Sequence, residues 1–128
     1  MLQPYPVSKT LAEQAVLQYG KEKGLDVVTI IHILVVRPSI TPSVSSNVQL
    51  ALTFLTGNPH TLQAIKGMQL ISGSISMVHV DDICNAHIFL MENPSAKGRY
   101  IYFPINTFVP QLANYLSKCY PQYSVPTQ

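Results

Sequence analysis

The residues that most restrict the fold run from Leu25 to Val36. The stretch is nearly all apolar and rich in β-branched side chains, broken within Val27–Val36 only by Thr29 and His32. Stiff β-branched residues pack well on a pleated surface. The lack of polar alternation fits a strand buried on both faces of a parallel sheet. A chain built around such a strand needs helices on both sides of it.

They are present, and they alternate with strands. Pro6 to about Glu22 reads as a helix: Pro6 sits in the first turn, where a missing N–H costs nothing. Leu11, Ala12, Ala15, Val16 and Tyr19 recur at helical spacing, and Gly24 supplies a stop. Arg37–Ser46 is a loop rich in proline, serine and threonine. Asn47–Leu55 reads as one short helix ended by Gly57, and Gly67–Ser76 as irregular. Met77–Val80 reads as a strand that delivers Asp81 or Asp82 as the N-cap of a helix to about Met91. A strand at Arg99–Phe103 and a helix at Val109–Cys119 follow, and Pro121–Gln128 carries no structure signal. Three strands and four helices make an α/β chain with an incomplete sheet.

Composition narrows the function. Of 128 residues, 47% are hydrophobic and only 11% charged, against an average near 25% charged. So few charges imply that part of the apolar surface is meant to be covered, by further protein or by self-association. A formal charge of +2 without a basic cluster excludes a nucleic-acid surface. Cys84 and Cys119 form neither a disulfide framework nor a zinc-spaced pair. No run is long enough to span a bilayer, and the start lacks the pattern of a signal peptide. A cytoplasmic location follows by elimination.

Chemistry enters at Tyr5 and Lys9, four positions apart and so able to share one helical face. Hydride transfer needs a group that exchanges a proton with the substrate, and a phenol beside an ammonium at a helix start can do this. The bland alternative is that Lys9 pairs with Glu13 one turn on and Tyr5 is an ordinary half-buried aromatic. Ser8 points about 100° away around the helix and is not part of the pair.

The wider context resolves toward a family. Tyr5-Pro-Val-Ser-Lys-Thr-Leu-Ala-Glu13 resembles the active-site helix of the plant flavonoid reductases, in the extended short-chain dehydrogenase/reductase family of the NAD-dependent epimerase/dehydratase superfamily. Gly24–Ile31 is similar to the strand after that helix, and Gly98–Ile101 and Val109–Pro121 fit the same pattern. Gly67–Ser76 with His79-Val-Asp-Asp82 and Ala86–Leu90 is most similar to the anthocyanidin reductase branch, ahead of the dihydroflavonol reductases. The resemblance implies an incomplete Rossmann-type, doubly wound sheet. On this reading residues 1–128 are the C-terminal part of a single NAD(P)-binding reductase domain, without the glycine-rich turn that cradles the cofactor pyrophosphate.

It further implies NADPH as cofactor of the complete enzyme and a small flavonoid as substrate. Tyr5 becomes the proton donor, and Lys9 the residue that eases its proton and hydrogen-bonds the nicotinamide ribose. Tyr5, Lys9, His32, Ile33 and Leu34 become the cofactor-binding set. Members of the family carry proline at the position of His32 and glycine at that of Arg37. His32 therefore reads either as a hydrogen-bonded histidine near a strand end or as a change that disturbs cofactor placement, and Arg37 as a source of strain if the glycine had positive φ. Ser74 and Ser76 are candidate partners for substrate hydroxyls and Met77 for packing on a ring, with a structural turn as the competing reading. His79, Asp81, Asp82, Cys84 and His87 crowd together, but a cap and a core histidine explain them better than a metal. A truncated product without catalysis, at most a binding module, is the remaining functional alternative.

Overall fold

In the computed structural model, which describes residues 4–39 and 42–126, the apolar run forms two strands instead of one. β1 (Val28–His32) and β2 (Leu34–Val36) part at Ile33 and join different sheets. The run is expected to be buried on both faces, but its residues are at most half-buried and Ile31 is 39% exposed; the hydrogen-bonding neighbour of each residue is chosen by strands far along the chain. The described chain forms two compact units. One comprises residues up to Ile31 with Asn85–Ile101, the other His32–Cys84 with the residues from Tyr102 on.

The first unit holds the long helix α1 (Pro4–Lys23), the ribbon of β1 with β4 (Gly98–Tyr102), and the later turns of α5 (Val80–Glu92). Gly24, at φ 66°, ends α1 as the sequence suggests. The periodic spacing does produce a helix, yet Gly20 is the one buried residue of α1. Leu11, Val16 and Tyr19 are all more than half exposed.

The second unit is built on the order β2–β3–β5, with β3 (Ile75–His79) parallel to β2 and antiparallel to β5 (Ile105–Thr107). Helices α2 (Ser46–Ala51), α3 (Thr53–Thr56), α4 (Pro59–Ser72) and α6 (Val109–Cys119) complete it. Phe54, Ile65, Ile75, Met77, Val109 and Ala113 form its core, with Leu34 and Val36 packed against them. Full burial of side chains such as Phe54 and Ile65 contributes roughly 1.5–3 kcal/mol each.

Several local elements differ from those expected of the sequence. The Asn47–Leu55 helix is interrupted at Leu52, which lets Thr53 and Phe54 turn into the core. The buried Thr53 hydroxyl is satisfied by the Thr61 hydroxyl at 2.7 Å. The segment expected to be irregular is instead the second half of α4 and the start of β3. Asn58 caps α4 by accepting from the backbone N–H of His60 at 3.0 Å and Thr61 at 3.4 Å, and Pro59 occupies its first turn. Gly67 costs about 1 kcal/mol in a helix interior, which burial of Ile65 outweighs. Gly73, at φ 79°, supplies the stop. α5 begins at Val80, so Asp81 and Asp82 lie in its first turn, where carboxylates favour the positive helix end. β5 has no counterpart among the expected strands, because its pairing with β3 is non-local.

Candidate active site

Proline in the first turn and helical spacing thereafter place Tyr5 and Lys9 on one exposed face of α1. Tyr5 is 70% exposed, and the Lys9 ammonium lies 5.5 Å from the centroid of its ring, within the range of a cation–π contact. Ser8 is turned elsewhere, its hydroxyl donating to the Tyr5 carbonyl oxygen at 2.7 Å.

Glu13, the competing partner for Lys9, is engaged by other groups. Its carboxylate accepts from Arg99 Nε at 2.9 Å and Arg99 Nη2 at 2.7 Å, and from the Thr29 hydroxyl at 2.9 Å. α1, β1 and β4 thus meet at one side chain, only 17% exposed. The hydrogen bonds from Arg99, and then that from Thr29, hold the Glu13 carboxyl below the usual carboxylate range. Neither Arg99 nor Thr29 stands out in the sequence. Arg99 lies 86 positions from Glu13, and no local pattern signals a contact of that separation.

Tyr5 and Lys9 belong to the first unit, and His32, Ile33, Leu34, Ser74, Ser76 and Met77 to the second. His32 is exposed at the end of β1, its Nδ1–H donating to the Ile33 carbonyl oxygen at 3.0 Å. Leu34 and Met77 are brought together as register partners of β2 and β3. Met77 is 9% exposed and part of the core. The Ser74 carbonyl accepts from Ser72 Oγ at 2.6 Å. The Ser76 hydroxyl donates to Asn106 Oδ1 at 2.9 Å across the β3–β5 pair, a partner that sequence reasoning missed. Arg37 is half-buried in the segment after β2, and no described residue other than glycine has positive φ, so its backbone carries no left-handed strain.

The crowded segment from His79 to His87 resolves into local contacts. His79 Nδ1 accepts the Asp81 backbone N–H at 3.3 Å, while His87 lines a hollow of about 500 Å³ with Val28, Ile30 and Leu90. Among the described residues, no three His, Cys, Asp or Glu side chains are grouped to hold a metal ion. Nor is any described helix long and apolar enough to cross a membrane.

A parallel strand pair packed with helices in one unit, and in the other a tyrosine–lysine pair opening the longest helix, define a Rossmann-like α/β chain. The structure is similar to the crystal structure of vestitone reductase from alfalfa (Medicago sativa L.), with a TM-score of 0.78 and 35% identity, over 94% of this chain and 36% of that one. The incomplete Rossmann-type fold expected from the sequence is therefore the fold observed.

Residues 1–104 match the NAD dependent epimerase/dehydratase family, and the chain belongs to that family. It is 64% identical over 124 residues to a putative anthocyanidin reductase of Ginkgo biloba, covering 97% of this chain and 36% of the relative. Identity is 50% to an anthocyanidin reductase ((2S)-flavan-3-ol-forming) of Vitis vinifera, over 96% of this chain and 36% of the relative. It is 47% to a dihydroflavonol 4-reductase of Zea mays, over 95% of this chain and 32% of the relative. The chain thus spans about a third of the length of these relatives.

Proposed function

We propose that this chain carries the acid–base pair of an NADPH-dependent flavonoid reductase that converts anthocyanidins to flavan-3-ols, as the C-terminal part of a single NAD(P)-binding reductase domain. The observation that carries this reading is the Lys9 ammonium set 5.5 Å from the Tyr5 ring, with the Glu13 carboxylate bound elsewhere. The similarity to relatives named as anthocyanidin reductases supports the substrate class.

The exposed hydroxyl and ammonium suit a nicotinamide ribose and a reacting substrate: one donates a proton, the other offers three N–H donors and no acceptor. Conversion of an anthocyanidin cation to a flavan-3-ol takes up two hydrides and one proton, and the cofactor would supply the hydrides, one from each of two molecules bound in turn. Tyr5 would give its phenolic proton to the substrate, the one proton of that balance, and Lys9 would offset the negative charge left on the phenol oxygen and hold the ribose. By the resemblance to the flavonoid reductases, His32, Ile33 and Leu34 would border the nicotinamide. Ser74 and Ser76 would offer polar contacts to the flavonoid, whereas Met77, 9% exposed in the core of its unit, presents little surface to a substrate ring. Dihydroflavonol reduction is the second reading, favoured by the 47% identity to the Zea mays enzyme.

The test uses a full-length chimera in which residues 1–128 replace the matching segment of the Ginkgo biloba relative. Tyr5→Phe keeps the ring and removes the acid, and should lower NADPH-dependent turnover of cyanidin about a hundredfold. Near-normal turnover would remove Tyr5 from the mechanism. The same chimera assayed on a dihydroflavonol separates the two substrate readings.

A further inference from the structure

Glu13 stands one turn beyond Lys9, where a carboxylate and a lysine ordinarily pair along a helix face. Here both of its oxygens are taken by the guanidinium of Arg99, through Nε at 2.9 Å and Nη2 at 2.7 Å, and one also accepts from Thr29. A planar guanidinium binds a carboxylate with two parallel hydrogen bonds, a geometry that an ammonium cannot match. The contest for Glu13 is therefore decided in favour of Arg99. Lys9 is left over the ring of Tyr5.

We propose that Arg99 is a positioning residue for the acid–base pair: by holding both oxygens of Glu13 it keeps that carboxylate off Lys9, whose charge then acts on Tyr5 alone. The inference rests on the reading of Tyr5 and Lys9 as the acid–base pair. The elements that meet at Glu13 bring few other titratable groups. β1 adds His32 at its end, and β4 adds Tyr100 and Tyr102 besides Arg99. On α1 the next charges are Lys21, Glu22 and Lys23, in its last turn. No second carboxylate on these elements stands within a turn of Lys9, so Glu13 is the one whose placement matters. Hydrogen bonds from Arg99 and then from Thr29 hold that carboxyl below the ordinary range, as its engagement by the guanidinium requires.

The experiment follows the pH dependence of cyanidin reduction by the full-length chimera. Arg99→Ala releases Glu13 to Lys9, partly cancelling the ammonium. The limb of the profile set by proton transfer should then move toward alkaline pH by roughly one unit. Adding Glu13→Gln removes the competing carboxylate and should return the limb, although the tether between α1 and β4 is still broken. A purely structural role predicts the reverse, with the double variant as impaired as Arg99→Ala. The proposal is overturned if Arg99→Ala leaves the profile in place, or if the double variant stays shifted. Should Arg99→Ala not fold, Arg99→Lys carries the test, with a smaller alkaline shift that Glu13→Gln again removes; no shift overturns the proposal. Tyr5→Phe keeps the two readings apart. If it remains active the acid–base assignment itself falls, whereas its inactivity with no rescue in the double variant sinks only the role of Arg99.

Discussion

Gly20 and Gly67 both lie inside helices, α1 and α4, and both invite replacement by alanine. In a helix the exchange gains about 0.5–1 kcal/mol, because alanine has less backbone freedom to lose. At Gly67 a new Cβ meets nothing within 4 Å. Gly67→Ala should therefore stabilise by nearly the whole of that amount. At Gly20 the new Cβ collides with Val27 Cγ2 and stands 3.3 Å from Val27 Cβ. Rotation about χ1 relieves the first contact but not the second, and valine is stiff at χ1. Overpacking of this kind costs about 1–3 kcal/mol. Against the helix gain, Gly20→Ala should destabilise by about 0.5–2 kcal/mol. Urea unfolding of the full-length chimera, with a slope near 3 kcal/mol/M, reads both. The midpoint should rise by about 0.2–0.3 M for Gly67→Ala and fall by about 0.2–0.7 M for Gly20→Ala. Adding Val27→Ala to Gly20→Ala should show a favourable coupling of about 1 kcal/mol in a double-mutant cycle. If the two alanines move the midpoint in the same direction, the packing argument at Gly20 is wrong.

Three further outcomes are expected. The Glu13 carboxyl lies below its ordinary value of 4.5 in the folded state, so its contribution is complete above that value and is lost as pH falls through the lower, folded one; acid titration of stability should be less steep in Glu13→Gln, and an unchanged slope would refute the coupling. In the chimera, His32→Pro with Arg37→Gly should tighten NADPH binding or raise turnover, and steady-state kinetics unchanged in both parameters would show the two residues to be neutral. Residues 1–128 expressed alone should self-associate and leave an NADPH titration flat, because Leu70, Ile71 and Met91 are 87%, 89% and 79% exposed and the glycines of this chain offer no Gly-x-x-Gly-x-x-Gly turn. Light scattering and calorimetry would check this, and saturable micromolar binding by a monomer would contradict it.

What could be read from the sequence was local. The helix at Val109–Cys119 has the bounds expected of it, because a proline in its first turn and the spacing of its apolar residues act within a few residues. α1 forms as expected but runs from Pro4 to Lys23 instead of from Pro6 to about Glu22, and the pairing of Tyr5 with Lys9 needs only helical geometry. α4 is capped by Asn58-Pro59 and stopped by Gly73, yet Gly67 and Ser72 read as loop signals in the sequence, and the burial of Ile65 decides the matter.

Tertiary structure alone decided how the local pieces are partnered. An apolar run cannot announce that it will part at Ile33, since hydrogen-bonding neighbours come from β3 and β4, distant in sequence. Two helical glycines look alike until Val27 is found beside one of them. Glu13 was equally available to Lys9 one turn away and to Arg99 86 positions away. Helical spacing put Lys9 within reach of Tyr5. The bidentate contact that takes up Glu13 exists only once β4 lies beside α1, because the two-point geometry of a guanidinium outcompetes a nearer ammonium.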